Sequence, residues 1–77
     1  MTTYERICNI IRDNLCLEED FSFSPELTFS EIMMDSLDLV EIIMEIEDTF
    51  SVEISDEELE TVKNLGELTG MIEEKAN

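Results

Sequence analysis

Residues 35–50 read DSLDLVEIIMEIEDTF and form the most strongly periodic segment of the chain. Apolar side chains recur there at the spacing of an α-helix, about 100° per residue, and align as one wide stripe. The stripe consists of Leu39, Ile42, Ile43, Ile46 and Phe50. Asp35 is a favourable N-cap, and Asp38 puts negative charge in the first turn, where the helix dipole favours it. The segment therefore predicts a helix that starts at Asp35 or Ser36, ends near Phe50 and faces the core with this stripe.

A second, narrower apolar stripe lies on the neighbouring face of this predicted helix. It consists of Leu37, Val40 and Met44, and its acidic surroundings are Asp35, Asp38, Glu41, Glu47 and Asp48. An apolar centre inside a carboxylate rim is typical of a docking surface for a partner that has a basic rim around an apolar patch. The alternative is that Val40 and Met44 complete the core against the preceding loop. A small bundle can also bury one edge of the stripe and expose the other.

Another helix and a long loop precede this segment. Apolar residues recur at helical spacing from Thr3 to Leu15, and Thr2 with Glu5 has the spacing of a capping box. Residues 16–34 have no steady periodicity and contain a proline, which predicts a long loop. Its apolar residues predict an ordered loop that packs over the helices: Phe21, Phe23, Leu27, Phe29 and Ile32.

Two more helices are predicted after residue 50. Ser55 and Glu58 belong to a capping-box pattern ahead of a short helix over roughly residues 56–61. Asn64 with Glu67 opens the last helix. Its shared apolar face is Leu65, Leu68, Met71 and Ile72. The sequence predicts an all-α protein, a small four-helix bundle of three main helices and one short helix, as one domain over residues 1–77.

The composition is strongly acidic and contains no histidine. A total of 21 Asp and Glu against 4 Lys and Arg gives a formal net charge of −17. Such a surface repels nucleic-acid phosphates and anionic lipids and attracts basic protein patches, so we expect neither nucleic acid nor membrane as a partner. Cys8 and Cys16, if both lie on the first helix, are about 12 Å apart and cannot form a disulfide. Two free thiols and no long apolar run predict a reducing, soluble compartment, with the cytoplasm as the default. We also expect a monomer.

Ser36 is the one candidate for chemistry. A nucleophilic serine needs a neighbouring base, and histidine is absent. The calcium-loop pattern and the cysteine and histidine spacings of zinc sites do not occur. Acidic clusters such as Glu57 and Glu58 read more simply as solvated faces than as metal sites. We therefore expect neither an enzyme nor a bound metal, and we interpret Ser36 as a residue that another protein modifies.

The run MMDSLDLVE, residues 33–41, resembles the attachment site of acyl carrier proteins. Chain length, acidity, helix order and the ISDEE opening of the third helix, residues 54–58, are similar to the same family. The resemblance implies that Ser36 carries a covalent 4'-phosphopantetheine arm from coenzyme A, flanked by Asp35 and Asp38. It also implies that partners are recognised through Leu37, Val40, Glu41 and Met44.

The resemblance further implies a set of partners and a place for the acyl group. The expected partners are a phosphopantetheinyl transferase and acyl-transferring, condensing and reducing enzymes with basic docking patches. The acyl thioester either stays in solvent or enters a cavity lined by Ile43, Ile46, Phe50, Ile54, Leu59, Val62 and Leu68.

Two questions stay open at the level of sequence. Met33 and Met34 replace the glycine and alanine that are common in housekeeping fatty-acid carriers, so fatty-acid and specialised lipid or polyketide synthesis are both open. A different class of function is an acidic helical adaptor or cation-binding module that is never modified. That alternative explains the charge and the bundle, but not a serine between two aspartates at a helix start.

Overall fold

The computed structural model describes residues 2–29, 31 and 36–76, with Ser36 described by its backbone alone. The chain forms four helices: α1 (Thr3–Leu15), α2 (Ser36–Phe50), α3 (Asp56–Thr61) and α4 (Leu65–Ala76). Within the described ranges, extended pairing is confined to an isolated antiparallel bridge between Thr28 and Asn64. The all-α prediction, the helix order and the predicted helix bounds are confirmed. The predictions for Ile32, Met33, Met34 and Asp35 lie outside the described residues.

The start signals read from the sequence are present in the structure. At α1 the Thr2 hydroxyl accepts from the backbone N–H of Glu5 at 3.1 Å, and the Glu5 carboxylate accepts from the backbone N–H of Thr2 at 3.3 Å. Ser55 and Glu58 make the same reciprocal pair at α3, with both distances 3.1 Å. These hydrogen bonds satisfy backbone amides that have no acceptor inside the helix. Because each bond joins residues three apart, both helix starts could be predicted from the local sequence.

The core forms where α1, α2 and α4 meet and is almost entirely aliphatic. Its buried members are Ile7, Cys8, Ile10, Ile11, Ile42, Ile43, Ile46, Val52, Val62, Leu65, Leu68 and Ile72. The loop residues Phe23, Leu27 and Phe29 are half-buried against this core, as predicted for an ordered loop. Phe21 meets Phe23 edge to face, with ring centroids 4.9 Å apart.

Two helices end at a residue other than glycine in the left-handed conformation. Cys16 follows α1 with φ 54°, and Ser51 follows α2 with φ 56°. In each case the next amide returns to the helix: Leu17 donates to the Arg12 carbonyl at 3.0 Å, and Val52 donates to the Glu47 carbonyl at 3.1 Å. Cys16 is therefore an exposed cap beyond α1 rather than part of it. Both cysteines are free thiols, as expected.

Candidate functional site

Helix α2 begins at the protein surface. Ser36 is its first residue, and the next side chain, Leu37, is 73% exposed. Asp38 lies in the first turn and is half-buried. The start of α2 is therefore accessible from solvent without displacement of the core.

The second apolar stripe of α2 faces solvent. Leu37, Val40 and Met44 are 73%, 56% and 59% exposed, and they are the exposed large apolar side chains of the described part of the chain. The wide stripe of α2, in contrast, faces the core, because its residues Ile42 and Ile46 are only 1% and 0% exposed. The alternative that Val40 and Met44 complete the core is therefore wrong.

The acidic residues around this stripe differ in their environment. Glu41 and Asp48 are exposed beside it. Glu47 is half-buried, and its Oε2 accepts from the backbone N–H of Ile54 at 2.8 Å. Glu47 thus braces the connection from α2 to α3, a role that spacing along α2 did not reveal. Asp35 lies outside the described residues.

Most of the basic side chains are occupied within the fold. The Arg6 guanidinium lies 4.8 Å from the ring centre of Phe50, and that of Arg12 lies 5.1 Å from Phe23. Lys75 pairs with Glu58 at 2.6 Å and lowers the pKa of that carboxyl, with the backbone N–H of Ser55 adding to the effect. With a net charge of −17 and these cations engaged internally, the field around the exposed stripe is strongly negative.

The sequence matches known proteins over most of its length. Residues 5–72 match the family described as phosphopantetheine attachment site. Over 73 residues the chain is 41% identical to an acyl carrier protein of Picosynechococcus sp., covering 94% of this chain and 89% of that protein. The chain belongs to the acyl carrier protein family.

Two plant relatives are longer than this chain. It is 40% identical over 88% of its length to acyl carrier protein 2, chloroplastic, of Spinacia oleracea. It is 31% identical over 92% of its length to the protein of the same name from Hordeum vulgare. The chain spans about half of each plant protein, 52% and 55% respectively.

Membership of the family defines the class of chemistry. Domains of this family are carriers rather than enzymes, and they hold 4'-phosphopantetheine through a covalent bond. The residues present fit that group, because a serine opens a surface helix and the side chain after it is exposed.

The residues predicted to line an acyl cavity belong to one apolar cluster. Ile43, Ile46, Val62 and Leu68 are buried, and Phe50, Ile54 and Leu59 are half-buried against them. These side chains are contiguous and apolar, but in this structure they pack against one another instead of lining an open space. The acyl cavity therefore remains a prediction.

The described residues contain neither a cluster of candidate metal ligands nor a membrane-spanning helix. They contain no cluster of three or more carboxylate or thiol side chains arranged to hold a metal ion. In the same ranges, every helix is too short or too polar to span a bilayer.

Proposed function

We propose that this protein carries acyl intermediates as thioesters on a 4'-phosphopantetheine arm attached to Ser36. The supporting observation is the exposed apolar stripe of Leu37, Val40 and Met44, which begins one residue after Ser36 and lies in an acidic field. An apolar patch that serves no purpose in the core is costly to expose, and its position beside a modifiable serine suits enzymes that must reach the arm. When bound, the arm supplies a thiol that holds the acyl group.

The carboxylates and the apolar stripe of α2 have different roles in partner binding. Carboxylates at Asp35, Asp38, Glu41 and Asp48 attract basic residues of a partner and raise the rate of encounter, while Glu47 contributes from the edge of the face. The apolar stripe then makes the contact that holds the complex. Ser36, at the end of a rigid helix, is presented at a fixed place relative to that contact.

The partners, pathway and location are part of the same proposal. We infer a phosphopantetheinyl transferase and acyl-transferring, condensing and reducing enzymes with basic docking patches as partners of one carrier domain over residues 1–77. The pathway is fatty-acid synthesis or a specialised lipid or polyketide route. A monomer in the cytoplasm is consistent with the two free thiols, since disulfides are rare in that compartment.

Intact mass spectrometry tests the attachment site. Incubation with coenzyme A, magnesium and a phosphopantetheinyl transferase should add the mass of one arm to the wild-type chain. Ser36→Ala should gain nothing, whereas Ser51→Ala, which alters the exposed serine just beyond the other end of α2, should gain one arm. Modification of Ser36→Ala would move the site elsewhere. Refusal of the wild-type chain by several transferases would favour an unmodified acidic adaptor.

The cargo needs a separate measurement. The chain should be purified from its native cell under conditions that preserve thioesters, and the acyl group on the arm identified by mass spectrometry. A series of saturated chains growing by two carbons supports fatty-acid synthesis. A single branched, aromatic or poly-β-keto group supports a specialised route.

A further inference from the structure

The carboxylates of α2 lie mainly on one side of the exposed apolar stripe. Four of them recur three, four and three residues apart and therefore form one line along the helix. We call this line the acidic column, and it consists of Asp38, Glu41, Glu45 and Asp48. On the other side of the stripe, the described part of α2 has only Glu47, which accepts from the backbone N–H of Ile54.

Glu45 extends the acidic surroundings that the sequence predicted for the stripe. At about 100° per residue, Glu45 lies about 80° around the helix from Leu37, whereas Asp38 lies about 100° from it. Glu45 is also exposed, whereas Asp38 is half-buried. Glu45 is therefore at least as well placed as Asp38 to meet a partner that covers the stripe, although sequence reasoning omitted it.

A side chain of α1 restrains the Glu45 carboxylate. The side-chain amide nitrogen of Asn14 donates to the Ile10 carbonyl at 2.8 Å and to Glu45 Oε1 at 3.1 Å. The first bond holds the Asn14 side chain on its own helix, and the second holds Glu45 relative to α1. A carboxylate can accept about four hydrogen bonds, so Glu45 keeps the capacity to accept from a basic group of a partner.

The contact between Asn14 and Glu45 does not itself require a negative charge. A glutamine at position 45 would offer a carbonyl oxygen to the same donor. The carboxylate instead adds to repulsion along the acidic column, because like charges three or four residues apart on a helix destabilise it. Helix α2 contains no Lys or Arg that would offset this repulsion. A role for the charge is therefore to be sought outside the fold.

We propose that Glu45 is a further partner-binding carboxylate and that Asn14 is the residue that positions it. The proposal rests on the proposed function. It assigns to the partner a Lys or Arg side chain on the side of its apolar contact that meets α1. Because Asn14 restrains Glu45 before the partner arrives, less conformational entropy is lost when the ion pair forms.

Two substitutions separate the charge of Glu45 from its position. Glu45→Gln removes the charge and keeps an acceptor for Asn14, whereas Asn14→Ala removes the donor and keeps the charge. Both are made singly and together in a Ser36→Ala background. The association rate and Kd with a phosphopantetheinyl transferase are measured between about 0.01 and 0.15 M ionic strength. Glu73→Gln removes one exposed charge from α4 and is the control for net charge.

Each variant has a definite expectation. Glu45→Gln should lower the association rate about two- to fivefold at low salt, and the effect should shrink as salt rises, because exposed ion pairs are modest and screened. Its melting temperature should equal or exceed that of the parent chain, because repulsion along the column is reduced. Asn14→Ala should raise Kd about twofold and should fold, since alanine is a stronger helix former than asparagine. In the double variant, Asn14→Ala should cause no further loss, because Asn14 acts through the charge of Glu45.

The possible results separate the two parts of the proposal. An association rate for Glu45→Gln equal to that for Glu73→Gln would overturn the assignment of Glu45. A loss from Asn14→Ala that is the same with and without Glu45→Gln would overturn the positioning role, and so would tighter binding by Asn14→Ala. If wild type is modified at Ser36 but all variants bind alike, this proposal fails and the proposed function stands. If no transferase binds or modifies the wild-type chain, both fail.

Discussion

We call the exposed stripe of Leu37, Val40 and Met44, with the carboxylates around it, the docking face. Two substitutions by aspartate, one on this face of α2 and one on its core face, test it most directly. Val40 is 56% exposed and Ile43 is 7% exposed, although they lie three residues apart on the same helix. Val40→Asp changes the proposed contact and leaves the core untouched. Ile43→Asp puts a carboxylate into the core and serves as the control for loss of folding.

The expected size follows from these exposures. Full burial of a valine stabilises by about 1.5–3 kcal/mol, and about half of that remains available to a partner at Val40, roughly 1 kcal/mol. An unpaired carboxylate at an apolar contact costs about 1–3 kcal/mol more. Together these give about 2–4 kcal/mol, so Kd should rise by about 30- to 700-fold. The Val40→Asp melting temperature should stay within about 3 °C of wild type, since exposed substitutions usually change stability by less than about 0.5 kcal/mol.

The assay measures binding and folding on the same proteins. Titration calorimetry with a phosphopantetheinyl transferase is done in a Ser36→Ala background, so that binding is recorded without turnover. Circular dichroism melts are recorded in parallel. Ile43→Asp should lose its cooperative melting transition. A Val40→Asp chain that unfolds, or one that binds the transferase as wild type does, would refute the assignment of this face to docking.

Four other changes have definite expectations. Cys16→Gly and Ser51→Gly should each raise the free energy of unfolding by roughly 0.5–1 kcal/mol in urea titrations, because only glycine adopts positive φ without strain. Burial, together with the neighbouring Cys8 thiol, raises the pKa of Tyr4 to about 12 from its usual 10.0, so stability should fall as pH rises from 10 to 12. The absorbance of this single tyrosine records the titration. Salt and magnesium should raise the melting temperature by screening self-repulsion. Glu41→Lys should slow association with the transferase and weaken its salt dependence.

Each of these expectations has its own control. Cys16→Ala and Ser51→Ala keep the positive φ without glycine, and stability equal to the glycine variants would rule out backbone strain as the cause. Tyr4→Phe should lose the tyrosine part of the alkaline instability. A melting temperature indifferent to ionic strength would show that the carboxylates are too well spaced to repel strongly. Glu73→Lys, which changes an exposed carboxylate on α4 rather than on α2, should change association less than Glu41→Lys does.

Helix positions could be predicted because their causes are local in sequence. The capping pairs Thr2 with Glu5 and Ser55 with Glu58 join residues three apart, and the structure shows both. Apolar spacing in turn marks helices whatever they pack against. The place of Ser36 at the start of α2 is a consequence of the same local rules. The helix ends were harder to predict. Cys16 and Ser51 adopt the left-handed conformation in which helices usually have a glycine, so the sequence lacked the usual signal for a helix end.

The sequence by itself determined four helices, an acidic surface and a serine at the mouth of the second helix. It predicted that the wide stripe of that helix faces the core, and it left open whether Val40 and Met44 of the narrow stripe complete the core or face solvent. The fold decided this question, because Ile42 and Ile46 are buried in the common core whereas Val40 and Met44 are exposed. The hydrogen bond from Ile54 to Glu47, and those from Leu65 and Gly66 to the carbonyls of Leu27 and Pro25, were likewise decided only in the fold. Local hydrogen bonds depend on residues three or four apart, whereas burial depends on which distant elements come into contact.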